Sequence, residues 1–484
     1  MLFNSYIFIL FFLPFCILGY FVLNHFEKYT LAQIFLVGMS LWFYGYFNPG
    51  YLLILTASVL LNYVFYLLIR RNSGNKYAKI LMISGVLLNI GILLYFKYMD
   101  FFIDNINGIF KTDIPFLYIV LPLGISFFTF QQISFIVDAY RGEIPEYRFW
   151  EYAGFVTYFP QLVAGPIVTH DELVPQFMDK GKKKFDSENM AQGIYMFTLG
   201  LAKKILLADM FGKLVSYGYA TVDGLNSVTA IITMLAYTFQ IYFDFSGYSD
   251  MAIGIGKMMN IDLPQNFKSP YKALTITEFW DRWHMTLTRF FTKYVYIPLG
   301  GNRKGAVRTY VNVFIVYLIS GFWHGASWNF VFWGVMHGLF VIFTRRFKRF
   351  FDRISSVLNW LITFLFVNVT WVFFRAETFT QAVALLKKVF TGGVVGFDLQ
   401  FIELLRSVEI VEVLSLTPME TIYPPFVLTA FFVIAFLVSL GSKNAYEKMQ
   451  RFRPTFLRMV TTLFLLFWSI FSFAGISTFL YFNF

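Results

Sequence analysis

Cysteine is almost absent from this chain. Of its 484 residues only Cys16 carries a thiol, and it lies in an apolar run, so neither a disulfide framework nor a cysteine metal site can form. Cys16 is read as a small buried hydrophobe. Charge is scarce too: Asp, Glu, Lys and Arg make up 14% of the residues, where soluble domains carry about 25%. Hydrophobic residues reach 58% and the mean hydropathy is +0.62, which excludes an ordinary soluble globule and indicates an all-α polytopic membrane protein. Acidic residues are outnumbered 28 to 39, leaving a net charge of +11. The basic residues cluster in short loops between apolar runs, as the positive-inside rule expects, so the excess is read as topology and not as a nucleic-acid surface.

Chemical signatures are missing as well. No Gly-x-Ser-x-Gly elbow is present, which leaves a serine acyl-enzyme of hydrolase type unsupported. Neither a Gly-x-x-x-x-Gly-Lys-Ser/Thr phosphate loop nor a His-Glu-x-x-His zinc motif occurs. Without an internal repeat, a low-complexity segment or a separate soluble region, residues 1–484 read as a single transmembrane domain.

Apolar runs are what the chain has in abundance. The first, 2–22, lacks a small-residue cleavage site behind it and is expected to stay as a span. Further spans are expected at 31–47, 51–69, 80–98, 114–137, 190–207, 230–243, 328–343, 357–374, 426–440 and 459–480, roughly ten or eleven of conventional length. The segment 158–170 is too short to cross about 30 Å and is broken by Pro160, Gly165 and Pro166, so a re-entrant or interfacial piece is expected there. The run 310–319 is also too short to cross alone. Arg70-Arg71, Lys180-Gly-Lys-Lys-Lys184 and Arg345-Arg346-Phe-Lys-Arg349 mark cytoplasmic loops, and counting from them puts both termini outside the cell. The loop 375–425, with Glu377, Asp398, Glu403, Glu409, Glu412 and Glu420, is expected to be extracytoplasmic.

Inside this apolar frame stand two histidines that need an explanation. His284 sits in Glu278-Phe-Trp-Asp-Arg-Trp-His-Met-Thr-Leu-Thr-Arg289, whose alternating charges and indoles predict a helix partly in the membrane interface. His324 sits in Ser320-Gly-Phe-Trp-His-Gly-Ala-Ser327, between apolar runs that hold it within the bilayer near a turning point. An ionisable group at such depth is a functional hypothesis by default. A neutral imidazole there keeps its lone pair, since burial disfavours the imidazolium, and can take a proton from a hydroxyl attacking an acyl carbon. His170, just past the Gly165-Pro166 break, could line a cavity; His25 reads as a satisfied surface residue and His337 as a structural hydrogen-bonding one. Asp244 and Asp250 could bind a cation or hold a basic residue, and with no third ligand nearby a structural ion pair is expected in place of a metal site.

Four stretches carry a family resemblance: Trp283-His284, Trp323-His324-Gly325-Ala326, Tyr294-Val-Tyr-Ile-Pro-Leu-Gly-Gly-Asn-Arg-Lys304 and Phe159-Pro-Gln-Leu-Val-Ala-Gly-Pro-Ile-Val-Thr-His170. Together they resemble the membrane-bound O-acyltransferase family, in its bacterial branch of alginate and peptidoglycan O-acetylation proteins. The resemblance implies a ring of tilted helices with re-entrant segments around a central tunnel, in a bacterial plasma (inner) membrane. It implies His324 as catalytic, His284 as the second active-site histidine and His170 in a supporting position. It also implies acetyl-coenzyme A as a cytoplasmic donor, no metal, an extracytoplasmic acetyltransferase partner and a cell-envelope polysaccharide acceptor. The stretch 479–484, Phe-Leu-Tyr-Phe-Asn-Phe, resembles an aromatic C-terminal motif in which a tyrosine relays the acyl group, which would make Tyr481 an acyl carrier. The competing reading of those rings is an interfacial anchor. Two other functions stay open: a D-alanyl transferase of the teichoic acid type, and a polysaccharide or lipid transporter, which would call for repeated halves.

Overall fold

Hydrocarbon offers no water to satisfy backbone N–H and C=O groups, so a chain with long uninterrupted apolar runs closes its hydrogen bonds within helices, the other solution being a closed barrel of short alternating strands. The computed structural model describes residues 1–394, 396, 398–404, 423–441, 443–473 and 479–480, and every regular element among them is helical. Six described helices are long and apolar enough to cross a membrane: Phe8–His25, Gly50–Arg71, Lys76–Phe110, Ser227–Met258, Gly305–His324 and Ser356–Arg375. Others in the expected set fall near the lower limit of about 17–25 residues: Tyr29–Gly45 and Ile125–Arg141 have 17 each.

Three expectations need correction. The run 114–137 does not begin a span at 114, because the helix starts only at Ile125, after Gly124 takes a left-handed φ of 73°. The run 310–319 is not short: it lies inside Gly305–His324, a helix of 20 residues, in which Asn312 is buried and donates to the Gly301 carbonyl ahead of the helix at 2.8 Å. The run 230–243 is part of Ser227–Met258, so Asp244 and Asp250 lie on a helix of 32 residues.

The chain falls into two compact units, one of Met1–Leu199, Tyr248–Gln265 and Phe452–Phe484, the other of Gly200–Gly247 and Asn266–Arg451. In the first, buried amides join apolar helices: Asn62 donates to Asn89 Oδ1 at 3.1 Å and Asn89 donates back to Asn62 Oδ1 at 2.6 Å. Such pairs hold helices together where the hydrophobic effect between them is weak. Residues 152–168, which contain the Pro160–Pro166 break, are buried throughout, as irregular backbone at membrane depth requires.

In the second unit, Lys204 is buried between Asp209 at 2.8 Å and Asp244 at 2.6 Å. Asp244 thus belongs to an ion cluster, as expected of a carboxylate in this setting. The helices Gly305–His324 and Trp328–Arg346 form a hairpin through the turn 325–327 and meet at Gly321 and Gly334. A Cβ on Gly321 would stand 2.4 Å from the Phe330 carbonyl oxygen, and one on Gly334 would stand 2.5 Å from that of Tyr317. Backbone lies on both sides, so neither contact can yield without separating the helices. Gly321→Val is expected to lower the thermal unfolding temperature in detergent and to displace His324, three residues on; unchanged stability would contradict this packing.

Candidate active site

The segment 263–291 builds the first half of the site. Thr275 caps the short helix Ile276–Trp280 by accepting from the Glu278 N–H at 3.1 Å. The expected continuous helix through His284 does not form. His284 adopts φ 46° and ψ 50°, the left-handed region, and the next helix, Met285–Phe291, starts behind it. Sequence periodicity missed this because charges and indoles on either side suit one unbroken helix. The turn is held by Asn266 and Lys268: Lys268 N–H donates to the Arg282 carbonyl at 2.9 Å, and Met285 N–H to the Asn266 carbonyl at 3.0 Å.

Both histidines are buried, His284 fully and His324 with 3% exposure. The ring of His284 meets Phe245 edge-on at 4.8 Å and lies 6.3 Å from the indole of Trp323. The ring of His324 lies 5.0 Å from the same indole and is closed in by Trp333 at 5.1 Å and Phe374 at 5.2 Å. The Trp323 indole thus borders both imidazoles. Trp280, Trp283, Trp323, Trp333 and Trp371, half of the chain's 10 tryptophans, pack into this cluster. Trp333 and Trp371 carry no motif of their own, and nothing in the sequence singled them out. Burial pushes the imidazole of His284, which lies outside the spanning helices, down to about 3, so it is held neutral.

His337 belongs to the same cluster in another role. The Trp280 indole N–H donates to its Nδ1 at 3.2 Å, so Nε2 carries the proton and donates to Thr370 Oγ1 at 3.1 Å. Both nitrogens are engaged in holding helices together, as the structural reading expected. In the first unit, His170 has Tyr147 Oη 3.3 Å from Nδ1 and Asp138 Oδ2 3.5 Å from Nε2. Asp138, fully buried on Ile125–Arg141, was not foreseen. His25 is exposed. Tyr481 lies outside the described residues, as do Glu409, Glu412 and Glu420. Two residues before Tyr481, Phe479 is buried edge-on against Tyr248, with ring centres 4.5 Å apart.

A multi-pass helical protein that buries imidazoles among indoles has groups suited to proton transfer during acyl transfer. Residues 125–379 match the family model of MBOAT, the membrane-bound O-acyltransferase family. The chain belongs to that family and is an O-acyltransferase. It is 40% identical to the peptidoglycan O-acetyltransferase of Helicobacter pylori, covering 100% of this chain and 98% of that protein. It is 38% identical to the probable alginate O-acetylase AlgI of Pseudomonas aeruginosa over 81% of this chain and 75% of that one. Similarity to the teichoic acid D-alanyltransferase of Streptococcus thermophilus is 27% over 45% of this chain and 55% of that protein.

The left-handed turn at His284 makes a separate prediction about stability. A left-handed residue with a Cβ is strained by roughly 1–2 kcal/mol, which glycine avoids. His284→Gly is therefore expected to unfold at a higher temperature than His284→Ala, although both lose the ring. The reverse order in a detergent melting assay would argue against this backbone geometry.

Proposed function

We propose that this enzyme takes an acetyl group from acetyl-coenzyme A on the cytoplasmic side of a bacterial inner membrane and passes it outward for O-acetylation of a cell-envelope polysaccharide. The observation that carries this reading is the pair of buried imidazoles, His284 and His324, sharing the Trp323 indole. In the reaction, a hydroxyl oxygen bonds to the thioester carbonyl carbon and an imidazole takes the hydroxyl proton. The C–S bond then breaks, and the departing thiolate receives that proton. His324 is the base and His284 the second histidine that binds or polarises the reacting groups, while His170, between Asp138 and Tyr147, has a supporting role.

Tyr481 is the proposed acceptor of the first transfer. A phenol, with a pKa near 10, leaves more readily than a sugar alkoxide, so a phenolic ester keeps the acetyl group activated for an extracytoplasmic partner enzyme. Support comes from Phe479, which is buried against Tyr248 and ties the residues before Tyr481 into the protein. The names of the relatives at 40% and 38% identity support acetyl as the group and an envelope polysaccharide as the acceptor. The D-alanyltransferase relative supports one second reading, in which a D-alanyl thioester is the donor.

His324→Ala is expected to cut acetylation by about 10²–10⁴-fold while the protein stays folded in the membrane. Normal acetylation by that variant would remove His324 from catalysis. Mass spectrometry of the C-terminal peptide is expected to find an acetyl ester on Tyr481 when the outer partner is missing, and full activity in Tyr481→Phe would rule the relay out. Labelled acetyl-coenzyme A and a labelled D-alanyl thioester, added to one side of sealed vesicles, decide the donor.

A further inference from the structure

Asn266 was passed over in the sequence because it stands in a loop with no titratable neighbour beside it, yet its side chain touches His284 directly. Asn266 Oδ1 lies 3.1 Å from His284 Nδ1, 3.0 Å from Thr286 Oγ1 and 3.4 Å from the Thr286 backbone nitrogen. A backbone N–H can only donate, so the amide atom facing Thr286 is the oxygen. An amide oxygen can only accept, so the ring atom facing it must carry a hydrogen. His284 is thereby held as the Nδ1–H tautomer, with its lone pair on Nε2. Asn266 is itself fixed: it is buried, and its carbonyl accepts from Met285 N–H at 3.0 Å. Next to it Phe267 packs edge-on against Trp283 at 5.0 Å and Phe245 at 4.9 Å.

We infer that Asn266 is a positioning residue for His284, selecting the tautomer that presents Nε2 to the reacting groups. This rests on the proposed acyl-transfer role of the two histidines. Several other ionisable groups stand on the surrounding elements. Asp244, on the helix that carries Phe245, is bound to Lys204 at 2.6 Å, and Lys203 lies over the Tyr242 ring of that helix. On the turn itself Arg282 is bound to Glu278 at 2.7 Å, with Asp281 beside it, and Lys268 neighbours Asn266 in sequence. Arg289 is on the following helix, and His324 borders the same Trp323 indole as His284. An aspartate at 266 would put a carboxylate on Nδ1 and favour the imidazolium, raising the pH below which the ring is protonated. A leucine would leave Nδ1 without its acceptor and free the ring to take the other tautomer.

The test uses the full chain in proteoliposomes with ¹⁵N-labelled histidine, the His284 signals being assigned with His284→Gln. The expected result is a protonated Nδ1 and an unprotonated Nε2 in the wild type, lost in Asn266→Leu together with about a hundredfold or more of kcat and little change in the KM for acetyl-coenzyme A. Asn266→Asp, which keeps the accepting oxygen and guards against a misfolded leucine variant, is expected to retain activity at high pH. Its acid-side loss should move to higher pH. An Nε2–H tautomer in the wild type overturns the inference, as does a folded Asn266→Leu with wild-type kcat, or an aspartate variant with an unmoved pH profile. Failure of the acyl-transfer reading would show itself differently, as full activity in His324→Ala.

Discussion

An imidazole that water cannot reach must be neutral or paired, and that constraint governs how this protein is put together around residues 245–374. Transferring an unpaired ion into a low-dielectric interior costs far more than one hydrogen bond returns. The chain meets the constraint with rings and amides. His284 has an amide oxygen on one nitrogen and Phe245 against its face, and His324 is enclosed by Trp323, Trp333 and Phe374. The charges nearby are neutralised separately, Lys204 by two aspartates. With the Asp244 carboxylate held on a lysine, the His284 imidazole meets a ring and an amide oxygen, which leaves its neutral form favoured.

Such enclosure demands backbone geometry that sets ring positions to fractions of an ångström, and two local devices supply it. At His284 the chain reverses through a left-handed residue, a conformation unfavourable by roughly 1–2 kcal/mol for a side chain with a Cβ. Hydrogen bonds from Asn266 and Lys268 onto the same turn offset that cost. At His324 the device is steric: two glycines let the helices on either side of the 325–327 turn touch backbone to backbone, so the last residue of Gly305–His324 is held by its whole helix. Strain at one histidine and close packing at the other make both positions intolerant of change at residues that never meet the reacting groups.

Much of the architecture was legible from the long apolar runs, because uninterrupted stretches of that length cross hydrocarbon as helices, where a barrel would show shorter alternating strands. The locations of His284 and His324 were legible for a related reason: ionisable groups in apolar runs stand out. Span limits were harder to read. Hydropathy sees residues and not backbone hydrogen bonds, so the run 310–319 was bounded by polar and small residues although the helix continues on both sides, from Gly305 to His324. The break at His284 was invisible because no glycine or proline marks it; the turn is imposed from 18 residues upstream, by Asn266. Asp138, Trp333 and Trp371 went unnoticed for the same cause, since each acquires its role only from a helix distant in sequence.

Burial by itself does not sort the histidines. His284 and His337 are equally inaccessible, and both belong to the same aromatic cluster. Their hydrogen bonds separate them. At His337 the Trp280 indole takes the lone pair of Nδ1 and the remaining N–H is given to Thr370, so neither nitrogen can accept a proton without breaking a contact between helices. At His284 the same atom, Nδ1, donates, which moves the lone pair to Nε2. Two rings of the same chemistry thus differ, one a fastener and one with a lone pair on Nε2, according to whether the group opposite Nδ1 is an indole N–H or an amide oxygen. On the proposed acyl-transfer reading, it is the choice of asparagine at 266 and tryptophan at 280 that separates the two histidines.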